Sequence, residues 1–189
     1  MTMKRVTLLF IFSLGVFTFQ ACSSESKKNE DSVEQAEDMN EAKEPTQDDD
    51  DSEFAVKAAS GGMMEVELGR LAQEKAQSQA VKDFGAMMVE DHSKANEELK
   101  TLATSKNITL PSTMGEDHQK HVDELSKLSG AEFDKKYVKM MVDDHKEDID
   151  HFKEAADDAK DMEIKAFAAK TLPTLQKHYD AIKNIDKAM

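Results

Sequence analysis

The sequence predicts an all-α protein, a four-helix bundle with an extra short helix in the crossover between its second and third long helices. Glycine (7) and proline (3) are scarce among 189 residues, and Ala, Lys, Glu, Asp and Met abound, which disfavours a turn-rich β fold. From Phe54 onward the apolar residues recur at three- and four-residue steps instead of alternating. Breaks in that pattern divide it into two helical hairpins joined by one longer connection.

At the N-terminus, Lys4-Arg5 precedes an apolar run from Val6 to Phe19 and then Gln20-Ala21-Cys22. A basic start, a short apolar stretch and a small-residue end form a secretory signal, and the run is shorter than the ~20 residues of a spanning helix. A cysteine directly behind Ala21 resembles a bacterial lipobox, which implies cleavage before Cys22 and lipid on that residue. The lone cysteine excludes an internal disulfide and any Cys-rich zinc module, so it reads as an anchor. Ser23 in place of aspartate after the cysteine implies, by the same resemblance, an outer-membrane lipoprotein facing either the periplasm or the outside.

Residues 23–53 carry 13 acids and three lysines, a charge of −10 out of −14 for the chain. With little apolar surface to offset its ordering entropy, this stretch is expected to be a disordered tether. The organisation is then a signal peptide over 1–21, lipidated Cys22 with an acidic tether over 22–52, and the bundle over 53–189. So negative a chain excludes nucleic acid as a partner; its partners are expected to be the membrane, through the lipid, and an unidentified protein.

The first long helix is expected from Ser52, as N-cap, to Gln77, and the second from Ser78 to Thr104. Thr113-x-x-Glu116 offers a capping box for a short helix ending near Leu128. The third long helix spans about Ala131–Ala159. The fourth starts at Asp161, with Pro173 expected to kink it or mark a junction. Each carries one inward stripe: Phe54, Ala58, Gly61, Glu65, Leu68; Val81, Gly85, Met88, His92, Leu99; Val138, Met141, His145, Asp148, Phe152; Ile164, Thr171, Leu175, His178, Ile182.

Glu65, His92, His145 and His178 interrupt these stripes near their middles. Met87-Met88-Val89-Glu90-Asp91-His92 also recurs as Met140-Met141-Val142-Asp143-Asp144-His145. Glu65 and His92 lie at nearly equal distances from the turn at Ser78, as do His145 and His178 from the turn at Asp161. At ~1.5 Å rise per residue, the four come level to within about a turn. Three imidazoles and a carboxylate suit Zn²⁺, Cu²⁺ or Fe²⁺, with Asp91 and Asp144 as supporting or alternative ligands and Met88 and Met141 adding soft sulfur for copper. The alternative is a hydrogen-bonded His–acid network that only fixes the bundle, in a non-catalytic envelope module binding another protein. His118 and His121 read as surface residues, and His151 as a boundary residue with Asp148 as partner.

The order Glu65-Val66-Glu67-Leu68-Gly69-x-Leu71-Ala72, Val81-x-x-Phe84, Met88-x-x-Asp91-His92, Phe133-Asp134-x-x-Tyr137, Met141-x-x-x-His145 and Phe167-Ala168-x-x-x-Leu172-Pro173-x-Leu175-x-x-His178 resembles the bacterial family called domain of unknown function 4142. That resemblance implies a ferritin-like helical bundle and an outer-membrane or periplasmic address, and it carries no activity. None of the six histidines has Glu three residues before it, so the di-iron pattern of ferritin-like proteins is missing. No nucleophile elbow, phosphate loop or dinucleotide fingerprint occurs, and nothing suggests an enzymatic substrate.

Overall fold

Stripes of apolar side chains on long helices can be buried only against one another, and they are. The computed structural model describes residues 31–43 and 49–189, which form α1 (Ser32–Glu41), α2 (Asp49–Lys75), α3 (Gln79–Ser105), α4 (Glu116–Ser126), α5 (Gly130–Asp158) and α6 (Met162–Ala188). The expected signal segment and Cys22 lie outside the described residues. Helices α2, α3, α5 and α6 are the four-helix bundle; α2 packs on α3 and α5, and α3 on α2 and α6. Among the described residues, no helix is long and apolar enough to cross a membrane.

Two buried aspartates set the helix directions. Asp134, near the start of α5, accepts hydrogen bonds from the Gln77 (3.0 Å) and Ser78 (2.8 Å) amides in the α2–α3 turn. Asp51, in the first turn of α2, accepts from the Lys160 (3.0 Å) and Asp161 (2.6 Å) amides in the α5–α6 turn. Thus α5 begins where α2 ends and finishes where α2 begins. The two are antiparallel, and the segment carrying α4 returns along the length of the bundle. Each carboxylate satisfies two amides of the turn that leads into a helix, the second of them at its N-cap, which offsets its own burial.

The exchange reveals an internal duplication. Asp134 lies 83 positions after Asp51, and the same spacing relates Glu65 to Asp148, Val81 to Ile164, Phe84 to Phe167 and Gly85 to Ala168. The bundle is two like hairpins, each closing the other's turn.

Close approach of α2 and α3 depends on Gly69 and Gly85. A Cβ on Gly85 would lie 2.7 Å from both the Gly69 carbonyl oxygen and the Ala72 Cβ. Gly85→Ala is therefore expected to force the helices apart and destabilise the bundle by about 1–3 kcal/mol, read as a lower urea midpoint.

Three expectations need correction. The acidic stretch is not uniformly an unstructured tether, since residues 31–43 hold α1 against α2. Its anchors are polar: Asn40 pairs with the Thr109 backbone in both directions (2.7 and 2.9 Å), and Asp31 accepts from the Val33 (3.1 Å) and Glu116 (3.0 Å) amides. Side-chain bonds to backbone supply what an apolar count overlooks. Helix α4 starts on Gly115 without the expected Thr113 box; the Gly115 amide bonds to the Ser60 hydroxyl instead (2.8 Å). Pro173 interrupts nothing, for α6 is continuous through it, and its exposed position lets water satisfy the carbonyl one turn back.

Candidate metal centre

Glu65 on α2, His92 on α3, His145 on α5 and His178 on α6 meet in the middle of the bundle, each at most 6% exposed. The three imidazole centroids lie 5.1, 5.5 and 5.8 Å apart. Phe84 places its ring edge-on to His145 and His178 at 6.2 and 6.3 Å and closes one end of the cluster. The levels counted along the helices thus hold.

Hydrogen bonding fixes where the protons sit. Asp91 is half-buried, and burial works against its charge. Hydrogen bonds and charge from His178 and Lys177 nevertheless hold its carboxyl below the usual value, so it is an ionised acceptor. His178 Nε2, 3.0 Å away, must donate to it, which leaves His178 Nδ1 as an acceptor. His92 Nε2 donates to that nitrogen at 3.2 Å, and His92 Nδ1 is left to accept. Glu65 Oε2, 2.6 Å from His92 Nδ1, must then carry a proton. Burial agrees at each step. It pushes the Glu65 carboxyl up to about 8 and the His92 and His178 imidazoles down to about 4.

His145 stands outside this chain. Its Nδ1 donates to the Met141 carbonyl at 3.0 Å, so its Nε2 keeps a bare lone pair. That Nε2 faces Glu65 Oε1 at 3.6 Å, and both atoms are buried without a hydrogen-bond partner. Two lone pairs facing each other across 3.6 Å in a sealed interior are destabilising unless a cation lies between them. A histidine whose other nitrogen is pinned to a carbonyl is also the usual form of a metal ligand.

Two groups have ligand atoms within 4.8 Å of one another: His92, His145 and His178, and Glu65, Asp144 and His145. Ligands about 2.0–2.1 Å from a tetrahedral Zn²⁺ stand roughly 3.3 Å apart, close to the observed His92–His178 separation. The buried His/Glu cluster can therefore hold a metal ion.

Other candidates fall variously. Asp91 touches His178, and Asp144 Oδ2 lies 3.9 Å from His145 Nδ1. The Met88 and Met141 side chains are fully buried in the apolar cluster with Met64, Leu68, Phe84 and Tyr137, and Met141 meets His145 through its carbonyl. The spacing predicts Asp148 as a partner of His151. It instead lies beside Glu65, and burial and that neighbouring carboxyl raise its own carboxyl well above the ordinary range. His151 lies edge-on to Phe54. Asp148 is the residue missed, although it shares the inward stripe with His145. His118 is not a surface residue; it is half-buried and 2.7 Å from the Ser60 hydroxyl.

The family described as "Domain of unknown function (DUF4142)" matches residues 36–185. Among solved structures, a crystal structure of a DUF305 fragment from Deinococcus radiodurans is similar in fold, with a TM-score of 0.67 at 11% identity, covering 77% of this chain and 100% of that one. No curated protein matches.

Proposed function

The chain belongs to the DUF4142 family, and from that premise we propose that it is a lipid-anchored cell-envelope bundle that binds one transition-metal ion, Zn²⁺, Cu²⁺ or Fe²⁺, through Glu65, His92, His145 and His178. The observation that carries this reading is the facing pair of unpartnered lone pairs on His145 Nε2 and Glu65 Oε1. The test is elemental analysis of protein purified from its own membranes without chelator. One equivalent of metal is expected in the wild type and less than a tenth in a His92/His145/His178→Ala variant. Equal metal in both, or none in the wild type, would sink the reading.

A second reading has its own observation. The Glu65–His92–His178–Asp91 chain is satisfied without any ion and could serve only to fix helix register. It predicts that the histidine substitutions lower thermal stability equally with and without chelator.

The anchor rests on Lys4-Arg5, the apolar run and Ala21-Cys22. Cys22→Ser is expected to move the protein from the membrane to the soluble fraction and to abolish labelling by a fatty-acid probe. Unchanged fractionation would contradict a lipid on that residue.

A further inference from the structure

A sealed centre needs a way in for its ion. Two voids lie near the cluster: one touches it, and the other reaches Asp144 beside His145. One, beside Gly62, Glu65, His92, Asn96 and Asp148, measures about 20 Å³, room for about one water. The other is a surface groove of about 380 Å³ between α4 and α5, with Asp144 in its lining. Glu124, Asp143 and Glu147 line it with Asp144; of its two lysines, Lys136 pairs with Glu124 and Lys139 with Asp143. The acids outnumber the lysines, so the groove is net negative and favours a cation over an anion.

The buried polar atoms lacking a partner lead inward from this groove. Asp144 Oδ2, Glu65 Oε1 and His145 Nε2 are all shut off from solvent and unsatisfied. Glu65 and His145 are 3% and 0% exposed, and their ligand atoms and that of Asp144 lie within 4.8 Å of one another. His145 belongs equally to the second ligand group, with His92 and His178. His145 is common to both groups, and a neutral imidazole has one lone pair to give, so the two groups are filled in succession by a single cation.

We propose that the α4–α5 groove is the port through which a divalent cation enters. Asp144, Glu65 and His145 form its first stop, and the ion passes from Asp144 to His92 and His178 while His145 and Glu65 keep hold of it. The inference rests on the metal reading above and adds a route and a role for Asp144, which leaves the ion once it is seated.

The probe is Co²⁺ alone, mixed by stopped flow with the metal-free full chain while absorbance is followed. Asp144→Asn is expected to slow both association and dissociation at least tenfold and to leave Kd within about threefold. Asp143→Asn with Glu147→Gln, both exposed, is expected to slow association about two- to fivefold and to flatten its dependence on salt. This pair keeps the test open if Asp144→Asn fails to fold. Association unaffected in both variants overturns the port, as does an Asp144→Asn variant that loses affinity with no change in association. A wild type that binds no Co²⁺ at equilibrium overturns the metal reading and the port together. A wild type that binds it with rates indifferent to these substitutions overturns the port alone.

Discussion

Zn²⁺ at a free concentration a hundredfold above its Kd raises the melting temperature of the metal-free chain by about 5–10 °C, and His145→Ala abolishes the rise. An ion that binds only the folded state at that excess adds about 2.7 kcal/mol. For a domain of this size each kcal/mol shifts the midpoint by roughly 2–4 °C. The native state alone assembles the site, since its four side chains come from four helices. His145→Ala removes the bare Nε2 and also leaves a cavity where a fully buried ring stood, so the variant melts lower without metal. The difference between loaded and unloaded melts, read by calorimetry, is thus the informative quantity. A shift that survives in His145→Ala would place the ion elsewhere.

Metal-free protein loses stability as pH rises from 6.5 to 8, and bound metal removes the share of that slope that Glu65 contributes. Glu65 has a folded pKa of about 8 against an ordinary 4.5, because burial disfavours its charge. Between those values the folded chain holds a proton that the unfolded chain has lost. Stability therefore falls with rising pH and is lost as pH passes about 8. Asp144 and Asp148, raised by burial and by the carboxyls around them, act in the same sense. His92 and His178, lowered by burial to about 4 from 6.5, and His145, lowered by burial well below its ordinary 6.5, act oppositely. Between about 4 and 6.5 the unfolded chain takes protons that the folded chain refuses, so their contribution grows as pH rises. The opposing slopes largely cancel below 6.5, and above it only the carboxyls remain. A metal needs Glu65 deprotonated, so its binding strengthens over the same window and releases about one proton at pH 7. Urea midpoints at pH 6.5 and 8 check both statements: the decline is steeper without Zn²⁺ than with it. Glu65→Gln is expected to flatten the metal-free decline; an unchanged decline would assign it to another group.

Most of the bundle was legible because burial of a stripe leaves a period in the sequence, and the period fixed which residues face inward. Equal distances from a turn then brought Glu65 level with His92 and His145 level with His178, and the distances agree. Other features leave no such trace. Asp51 and Asp134 grip turns more than fifty residues away, contacts no local pattern encodes. The repeated Met-Met-Val segment relates α3 to α5. The hairpins are related at a different spacing, which makes Asp148 the counterpart of Glu65. With that counterpart hidden, Asp148 looked like a local partner for His151. Helix α1 leaves no period in the sequence because its anchors are Asn40 and Asp31 on backbone amides and a carbonyl, and Ala36 is its one buried apolar residue.

The most direct test of a metal ion inside this bundle is X-ray absorption on the chain loaded with one equivalent of Zn²⁺. Four nitrogen and oxygen neighbours at about 2.0–2.1 Å are expected, with the outer-shell scattering of three imidazoles, falling to two imidazoles in His178→Ala. An all-oxygen shell, or a wild-type spectrum with no imidazole signature, would contradict the centre formed by Glu65, His92, His145 and His178.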